Sequence, residues 1–143
     1  SLIILDLDKF KTLNDRYGHP TGDAILKEVA RRLNKNLRQY DLAVRYGGDE
    51  FLVLLPMTPL LAAENVAQKL RQAITAYPIN ALTVSLSLGI AGWQTPADDA
   101  TLPSQKILEK LIDEADHNLY RAKNRGSNNI ATPYGLAPQI IHP

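Results

Sequence analysis

Three stretches of the chain carry the apolar patterns of β-strands. Residues 2–7, LIILDL, are apolar at every position except Asp6, as in a central strand that is buried on both faces. Residues 82–93 alternate apolar positions with small, mostly polar ones, which is the two-residue period of a β-strand. Between these stretches, apolar runs flank RYGGDEF (45–51). This pattern predicts a β-hairpin whose two adjacent glycines adopt positive φ at the turn.

Helical patterns occupy most of the remaining chain. Apolar residues recur every three or four positions over 20–38, 59–76 and 104–124, which predicts three amphipathic helices. A short helix is predicted after Asp8, which is a candidate N-cap, and Gly18 is expected to end that helix. The resulting order is β-α-α-β-β-α-β-α-β. Such a mixed order favours an α+β fold with a central, mostly antiparallel sheet flanked by helices.

The two ends of the chain differ in character. The first residues already lie in a strand-like run, so we expect the chain to be part of a longer protein. The residues after Asn129 include three prolines and show no clear periodicity. They predict a linker or tail over 131–143.

Composition narrows the class of protein. The 143 residues suffice for one domain with its own core, and 45% apolar and 22% charged residues are typical of a globular protein. A net charge of +1 gives no basic footprint for nucleic acid, and the lack of cysteine excludes disulfides and thiolate metal sites. No apolar run reaches the ~18 residues of a membrane span. We expect a cytoplasmic domain without a nucleic-acid or membrane partner in this stretch, whether free or part of a membrane-anchored protein.

Four acidic residues are candidates for chemistry: Asp6, Asp8, Asp49 and Glu50. If the hairpin pairs beside the first strand, the acids at its turn approach Asp6. Two carboxylates about 4 Å apart repel by roughly 4 kcal/mol at an effective dielectric of about 20, so a raised pKa, a basic partner or a divalent cation must offset the repulsion. Hard oxygen ligands suit Mg²⁺ or Mn²⁺, which predicts metal-assisted phosphate chemistry. The alternatives are helix capping by Asp8 and simple solvation of the two turn acids.

The stretch NDRYGHPTGD (14–23) adds a candidate base-reading site. Asn14, His19 and Asp23 surround a glycine-containing turn between two predicted helices. A carboxylate can accept from the two adjacent donors of guanine, and an amide can complete the pairing edge, whereas adenine would leave polar groups unpaired. The alternative is that Asn14 and Asp23 serve only the helix ends, as caps or as complements of the helix dipole.

Four sequence blocks follow one another in a characteristic order: DLDKFKTLNDRYGHPTGD, RYGGDEF, TVSLSLGIA and ADHNLYRAKNRG. Together they resemble the GGDEF family of diguanylate cyclases over about residues 2–130. The resemblance implies a palm-like α+β fold, similar to that of nucleotidyl cyclases, in a domain over 1–130 that lacks the family's usual N-terminal lead-in. It also implies condensation of two GTP into cyclic di-GMP and two pyrophosphates, between two domains that face each other in a homodimer.

The resemblance assigns roles position by position. It implies that Asp6, Asp49 and the Leu7 carbonyl hold Mg²⁺ (or Mn²⁺), and that Glu50 lies beside them. Asp49 is also the implied base for the attacking 3′-hydroxyl, and Lys11 would neutralise phosphate charge in the transition state. The two glycines of the turn would let the backbone approach GTP closely. The residues implied to bind the substrate are Asn14, His19, Asp23, Gly47, Gly48 and Lys123.

The stretch RQYD resembles the family's inhibitory product site. Arg38 and Asp41 end five residues before the GGDEF word, and the resemblance implies that they bind cyclic di-GMP and permit product inhibition. An arginine can grip a phosphate or guanine edge while an aspartate accepts from guanine. Lys69 is the nearest candidate for an additional basic member. In one departure, Ser127 stands where the family commonly has a second phosphate-binding arginine.

Two other functions stay open. One is a catalytically silent module that binds GTP or cyclic di-GMP; the retained acids of the GGDEF word favour an enzyme over it. The other is a general metal-dependent nucleotidyltransferase of the adenylate cyclase kind, which the guanine-reading pair Asn14 and Asp23 disfavours. In either case we expect a fused sensor or other signalling domain in the full-length protein.

Overall fold

The computed structural model describes residues 1–94 and 103–137. The strands are β1 (Leu2–Leu7), β2 (Leu42–Arg45), β3 (Glu50–Leu54), β4 (Leu86–Ala91), β5 (Ile130–Thr132) and β6 (Gly135–Leu136). The helices are α1 (Phe10–Tyr17), α2 (His19–Asn36), α3 (Leu60–Thr75) and α4 (Ser104–Asn124).

All six strands belong to one sheet, in the order β2-β3-β1-β4-β5-β6. The neighbouring strands are antiparallel except for the parallel pair β4–β5. The predicted α+β fold with a mostly antiparallel sheet is therefore confirmed. The long predicted helices correspond to α2, α3 and α4, with ends that agree within two residues.

The strand β1 is the centre of the sheet. All six of its residues are buried, and it pairs with β3 on one side and β4 on the other. The register sets Asp6 opposite Glu50 on β3 and opposite Ser87 on β4. The acid at the end of the apolar run is thereby brought beside the acids of the hairpin.

Helices cover both faces of β1. On one face, α2 and α3 pack against Ile3 and Leu5, and on the other, α4 packs against Leu2 and Ile4. Each such buried side chain contributes roughly 1.5–3 kcal/mol of transfer free energy, so the two cores fix the strand that ends at the candidate site. None of the helices described is long and apolar enough to span a bilayer.

Gly89 of β4 lies in close contact with the backbone of α4. A Cβ built on Gly89 would overlap the carbonyl oxygen of Ala115 and the amide nitrogen of Leu119, and would lie 2.8 Å from the Leu119 Cα. These are backbone atoms, which cannot rotate away as the end of a side chain can. Glycine at this position allows α4 to pack closely against β4.

Two parts of the chain differ from the sequence prediction. The strand predicted over 82–93 is confined to β4, and residue 82 forms an isolated bridge with residue 79 instead. The tail predicted over 131–143 begins with strand structure: β5 pairs with β4, and β6 folds back on β5. The strands β5 and β6 span only three and two residues, too short for a period to show. Residues 138–143, and most of the predicted loop over 95–104, lie outside the described residues.

Candidate active site

A cleft of about 360 Å³ opens where β1 ends. Its lining combines the end of β1, the start of α1, the hairpin turn and the C-terminal end of α4. Most of the predicted catalytic and metal-binding residues therefore meet in one place, together with one predicted substrate-binding lysine. The lining residues are Asp6, Leu7, Asp8, Lys9, Phe10, Lys11, Asp49, Lys123, Gly126 and Ser127.

Asp6 and Lys123 form an ion pair within this cleft. The Lys123 Nζ lies 2.8 Å from the Asp6 Oδ2, and Asp6 is only 8% exposed. Burial raises the pKa of Asp6, the hydrogen bond and charge of Lys123 oppose that rise, and the nearby charges of Asp49 and Glu50 add to it. Two of the three factors that were expected to offset the repulsion between the carboxylates are thus present: a basic partner and a raised pKa.

The turn acids do not face the cleft equally. The backbone of Asp49 is tied to β1, since its carbonyl accepts from the Leu7 amide at 3.3 Å, and Asp49 lines the cleft. Glu50 is not among the lining residues. Its Oε2 instead lies against Gly47, at 2.6 Å from where a Cβ on that residue would be.

The oxygen donors of the cleft fit a magnesium ion that keeps some of its water ligands. Asp6 and Asp49 supply carboxylates, but over residues 1–94 and 103–137 no cluster of three or more His, Cys, Asp or Glu side chains could hold a metal. Mg²⁺ usually takes one or two carboxylates and fills its remaining positions with water and substrate phosphate. The donor set therefore suits a metal that arrives with a nucleotide, not an all-protein cage.

Asp8 does not cap α1, so that prediction is wrong. The helix begins at Phe10, and the capping position is taken by Lys9 at φ 57°. The Asp8 carboxylate accepts three hydrogen bonds, each at 2.8 Å, from the Ser85 Oγ, the Ser87 Oγ and the Asn128 amide. With its oxygens taken, Asp8 joins β1 and β4 to the loop after α4.

The hydrogen bonds of Asp8 to distant parts of the chain were not predicted from the sequence. Its partners lie 77, 79 and 120 positions away in the chain. The available signal was the serine–leucine–serine run at the start of β4, whose second serine is fully buried and needs a partner.

We predict that Asp8→Ala destabilises the fold. The change leaves the buried Ser87 hydroxyl and the Asn128 amide without their acceptor, and each unsatisfied buried group costs about 1–3 kcal/mol. Urea denaturation should show a lower midpoint for Asp8→Ala, and a smaller decrease for Asp8→Asn, which keeps an acceptor. Asp15→Ala, at an exposed position of α1, is the matched control. Equal midpoints for Asp8→Ala and the wild type would contradict this role.

The hairpin turn differs from prediction in its backbone. Neither Gly47 nor Gly48 has positive φ. The turn is closed by backbone hydrogen bonds from the Tyr46 and Gly47 amides to the Glu50 carbonyl, at 2.9 and 3.2 Å. Arg45 adds to them, since its Nε donates to the Gly47 carbonyl at 3.2 Å and its Nη2 donates to the Gly48 carbonyl at 2.7 Å. A Cβ on Gly48 would meet nothing within 4 Å, so this part of the turn faces open space.

The predicted base-reading residues lie at the junction of α1 and α2. Gly18 ends α1 at φ 84°, as predicted, and His19 is the exposed first residue of α2. Asn14 is half-buried on α1, three positions after Lys11 and hence near it on the same face of the helix. Asp23 is exposed and lines a separate groove of about 390 Å³ between α2 and β2.

The RQYD stretch forms a turn of its own. The Asp41 Oδ2 accepts from the Arg38 amide at 2.8 Å, and the Asp41 amide donates to the Arg38 carbonyl at 3.1 Å. The turn precedes β2, whereas the glycine turn follows it, so the two are separated by a strand of roughly 13 Å. Lys69 donates to the Asn36 carbonyl at 3.0 Å, which brings a second cation to this end of the sheet.

The fold and the cleft define a class: an α+β sheet that gathers paired carboxylates and lysines at the end of its central strand. The family model described as diguanylate cyclase, GGDEF domain matches residues 1–129. The chain belongs to this family.

Individual relatives support the assignment. Diguanylate cyclase DgcP of Pseudomonas aeruginosa is 39% identical over 133 residues, which is 90% of this chain and 18% of the relative. Response regulator PleD of Caulobacter vibrioides is 36% identical over 136 residues, 91% of this chain and 28% of the relative. The chain thus spans less than a third of the length of either relative.

Solved structures agree with the fold. The active GGEEF domain of a diguanylate cyclase from Vibrio cholerae matches with a TM-score of 0.80 at 26% identity, covering 92% of this chain and 80% of that one. The GGDEF domain of DgcB from Caulobacter crescentus, in complex with c-di-GMP, matches with a TM-score of 0.77 at 25% identity, covering 92% and 75%.

Proposed function

We propose that this chain is the catalytic domain of a diguanylate cyclase, which condenses two GTP into cyclic di-GMP and two pyrophosphates. The observation that carries the proposal is the cleft at the end of β1, which joins Asp6 and Asp49 to Lys11 and Lys123. Phosphoryl transfer requires mainly positioning and neutralisation of charge. Carboxylates that can hold a cation and lysines that can face phosphate are the groups this chemistry needs.

Each chemical step is an in-line exchange at phosphorus. The 3′-hydroxyl oxygen of one GTP forms a bond to the α-phosphorus of the other, the bond from that phosphorus to the β-phosphate oxygen breaks, and pyrophosphate leaves. Asp49 accepts the hydroxyl proton. Lys11 and Lys123 balance the negative charge on the phosphates, and Lys123 does so from a position already fixed by its ion pair with Asp6.

A magnesium ion fits the same place. Asp6, Asp49 and the Leu7 carbonyl would hold it, and when bound it supplies charge neutralisation on the phosphates. Burial and the neighbouring acids raise the pKa of Asp6, and a cation beside it would favour the ionised carboxylate.

Two chains are needed to close the cyclic product. The described residues, 1–94 and 103–137, form one such acid cleft at the end of β1, whereas cyclic di-GMP contains two phosphodiester bonds, one made by the 3′-hydroxyl of each GTP. A homodimer with the two clefts face to face lets each GTP provide both an attacking hydroxyl and an electrophilic phosphorus.

Guanine is selected by Asn14 and Asp23, with His19 nearby, through the donor and acceptor pattern of its pairing edge.

Product analysis tests this function. The chain is incubated with Mg²⁺ and either GTP or ATP, as isolated and with two copies tethered, and the products are separated by chromatography. We expect cyclic di-GMP from GTP, more of it from the tethered form, and no cyclic dinucleotide from ATP. Product from ATP at a comparable rate would favour a general nucleotidyltransferase.

A silent binding module is the second candidate, and one observation favours it. Ser127 lines the cleft at the position where the family commonly has an arginine, so one bidentate phosphate contact is lacking. Tethered copies that bind GTP but form no product would support this candidate.

We predict that Arg38→Ala weakens the binding of cyclic di-GMP. Arg38 is exposed in the turn that Asp41 closes, so its guanidinium can form charged, bidentate contacts, each worth about 1.5–3 kcal/mol. Calorimetry should show at least roughly a tenfold larger dissociation constant. Gln39→Ala, in the same exposed turn, is the control and should bind as the wild type does. An unchanged constant for Arg38→Ala would remove the inhibitory-site proposal.

A further inference from the structure

Gly22 of α2 lies directly against the side chain of Asn14 on α1. Gly22 is buried, and a Cβ built on it would overlap the Asn14 Oδ1, with the Asn14 Cγ at 2.9 Å and the Phe10 Cζ at 3.0 Å. The backbone of Gly22 does not have positive φ and lies within a regular helix. Glycine is therefore not needed here for its conformational freedom, and it weakens a helix relative to alanine. What the position requires is the absence of a side chain.

This contact determines the orientation of the Asn14 amide, that is, whether its oxygen or its nitrogen faces Gly22. The Asn14 Oδ1 is buried and has no hydrogen-bond partner in the described part of the chain. It faces the Gly22 Cα, whose C–H group is a weak donor to oxygen. With the Nδ2 in that place, two stronger N–H donors would be buried against carbon, at a greater cost. The amide oxygen is thus held inward, and the Nδ2 group faces away from Gly22.

We propose that Gly22 is a positioning residue for nucleobase specificity, because it orients the Asn14 amide with its Oδ1 toward Gly22 and its Nδ2 donor group away from Gly22. The proposal rests on the proposed function. Asp23, the next residue of α2, has an exposed carboxylate that can accept from the N1–H and N2–H groups of guanine. The Nδ2 of Asn14 then matches the remaining group of that edge, the O6 acceptor. Adenine carries an amino group where guanine has O6, so it would set donor against donor.

Gly22→Ala tests this role with limited risk to the fold. Alanine is a better helix former than glycine, and the atoms closest to the added methyl belong to the Asn14 side chain, which can rotate. We therefore expect a cooperative unfolding transition with a midpoint close to that of the wild type. Nucleotide binding should weaken instead, because the Asn14 side chain must move to accommodate the added methyl group.

The measurement is calorimetry with Mg²⁺ and GDP or ADP, which carry the bases but are not condensed. We expect Gly22→Ala to weaken GDP binding about tenfold, the loss of about one hydrogen bond, and to reduce the preference for GDP over ADP. In turnover, KM for GTP should rise while kcat changes little, because the lost contact is made equally in the ground state and the transition state.

The double variant supplies the control. In an Asn14→Ala background the overlapping atoms are gone, so adding Gly22→Ala should change GDP affinity no further. Additive effects of the two changes, or unchanged GDP affinity and preference in Gly22→Ala, would overturn the inference. If the wild type binds neither GDP nor GTP, it is the proposed function that fails. The same pair of changes then still tests the contact, since their effects on the unfolding free energy must be non-additive if Gly22 seats Asn14.

Discussion

Asp49→Ala is expected to abolish the formation of cyclic di-GMP while the protein stays folded. The carboxylate of Asp49 lines the cleft beside Asp6, where it is proposed both to hold the metal and to accept the proton of the attacking hydroxyl. Loss of a general base alone slows such steps by about 10²–10⁴-fold, and loss of a metal ligand adds to this. Chromatographic assay of tethered copies with GTP and Mg²⁺ should show no product above background.

The fold should survive because the structural role of Asp49 belongs to its backbone. Its carbonyl accepts from the Leu7 amide, and alanine keeps that carbonyl. Its charge also raises the pKa of Asp6, so its removal relieves an electrostatic repulsion. The thermal midpoint should therefore be equal to or above that of the wild type. Asp113→Ala, at an exposed position of α4, should retain full activity. Turnover that persists in folded Asp49→Ala would exclude Asp49 as the base.

The acid cleft could be predicted from the sequence because it depends on strand register. A carboxylate in a continuous apolar run must sit near the end of a buried strand. A hairpin that pairs beside this strand then brings its turn acids to the same edge. The structure sets Asp6 opposite Glu50, one residue beyond Asp49. The assignment of individual roles needed the family resemblance, because spacing alone cannot distinguish a metal ligand from a solvated acid.

Other features depend on contacts that have no local signature. The position of Asp8 after an apolar run is equally suited to a helix cap, and only the arrival of β4 and of the loop after α4 supplies its three donors. The glycines of the hairpin suggested positive φ, yet Arg45 holds the turn without it. For Asp8, hydrogen bonds from distant parts of the chain replace the local role that the residue type favours, whereas in the hairpin the turn is held by hydrogen bonds from Arg45 within the turn itself.

Glycines best show the limit of sequence reasoning, since they differ only in their surroundings. Gly48 faces open space, whereas Gly89 lies against the backbone of α4. An apolar, alternating strand pattern gives no sign of that difference. Only the packed structure separates a glycine that is needed for close approach from one that is not needed for the fold.

Gly89→Ala is accordingly expected to be the most destabilising of the changes considered. Overpacking usually costs about 1–3 kcal/mol, and here the obstruction is the Ala115 carbonyl and the Leu119 backbone, so α4 as a whole must move from β4. That displacement would loosen the core formed by α4 and β1. We expect a loss of about 3 kcal/mol or more, and a thermal midpoint lower by roughly 6–12 °C.

The matched control is Gly48→Ala, because Gly48 also lacks positive φ and a Cβ there meets nothing within 4 Å. Its unfolding free energy should lie within about 0.5 kcal/mol of the wild type, while its binding of GTP should weaken if the open face of the turn receives the nucleotide. The two alanine variants therefore separate two settings of glycine in this domain: Gly89 permits contact between a helix and a strand, and Gly48 lies in the open turn that is proposed to receive the nucleotide. Equal stability of both variants would contradict this distinction.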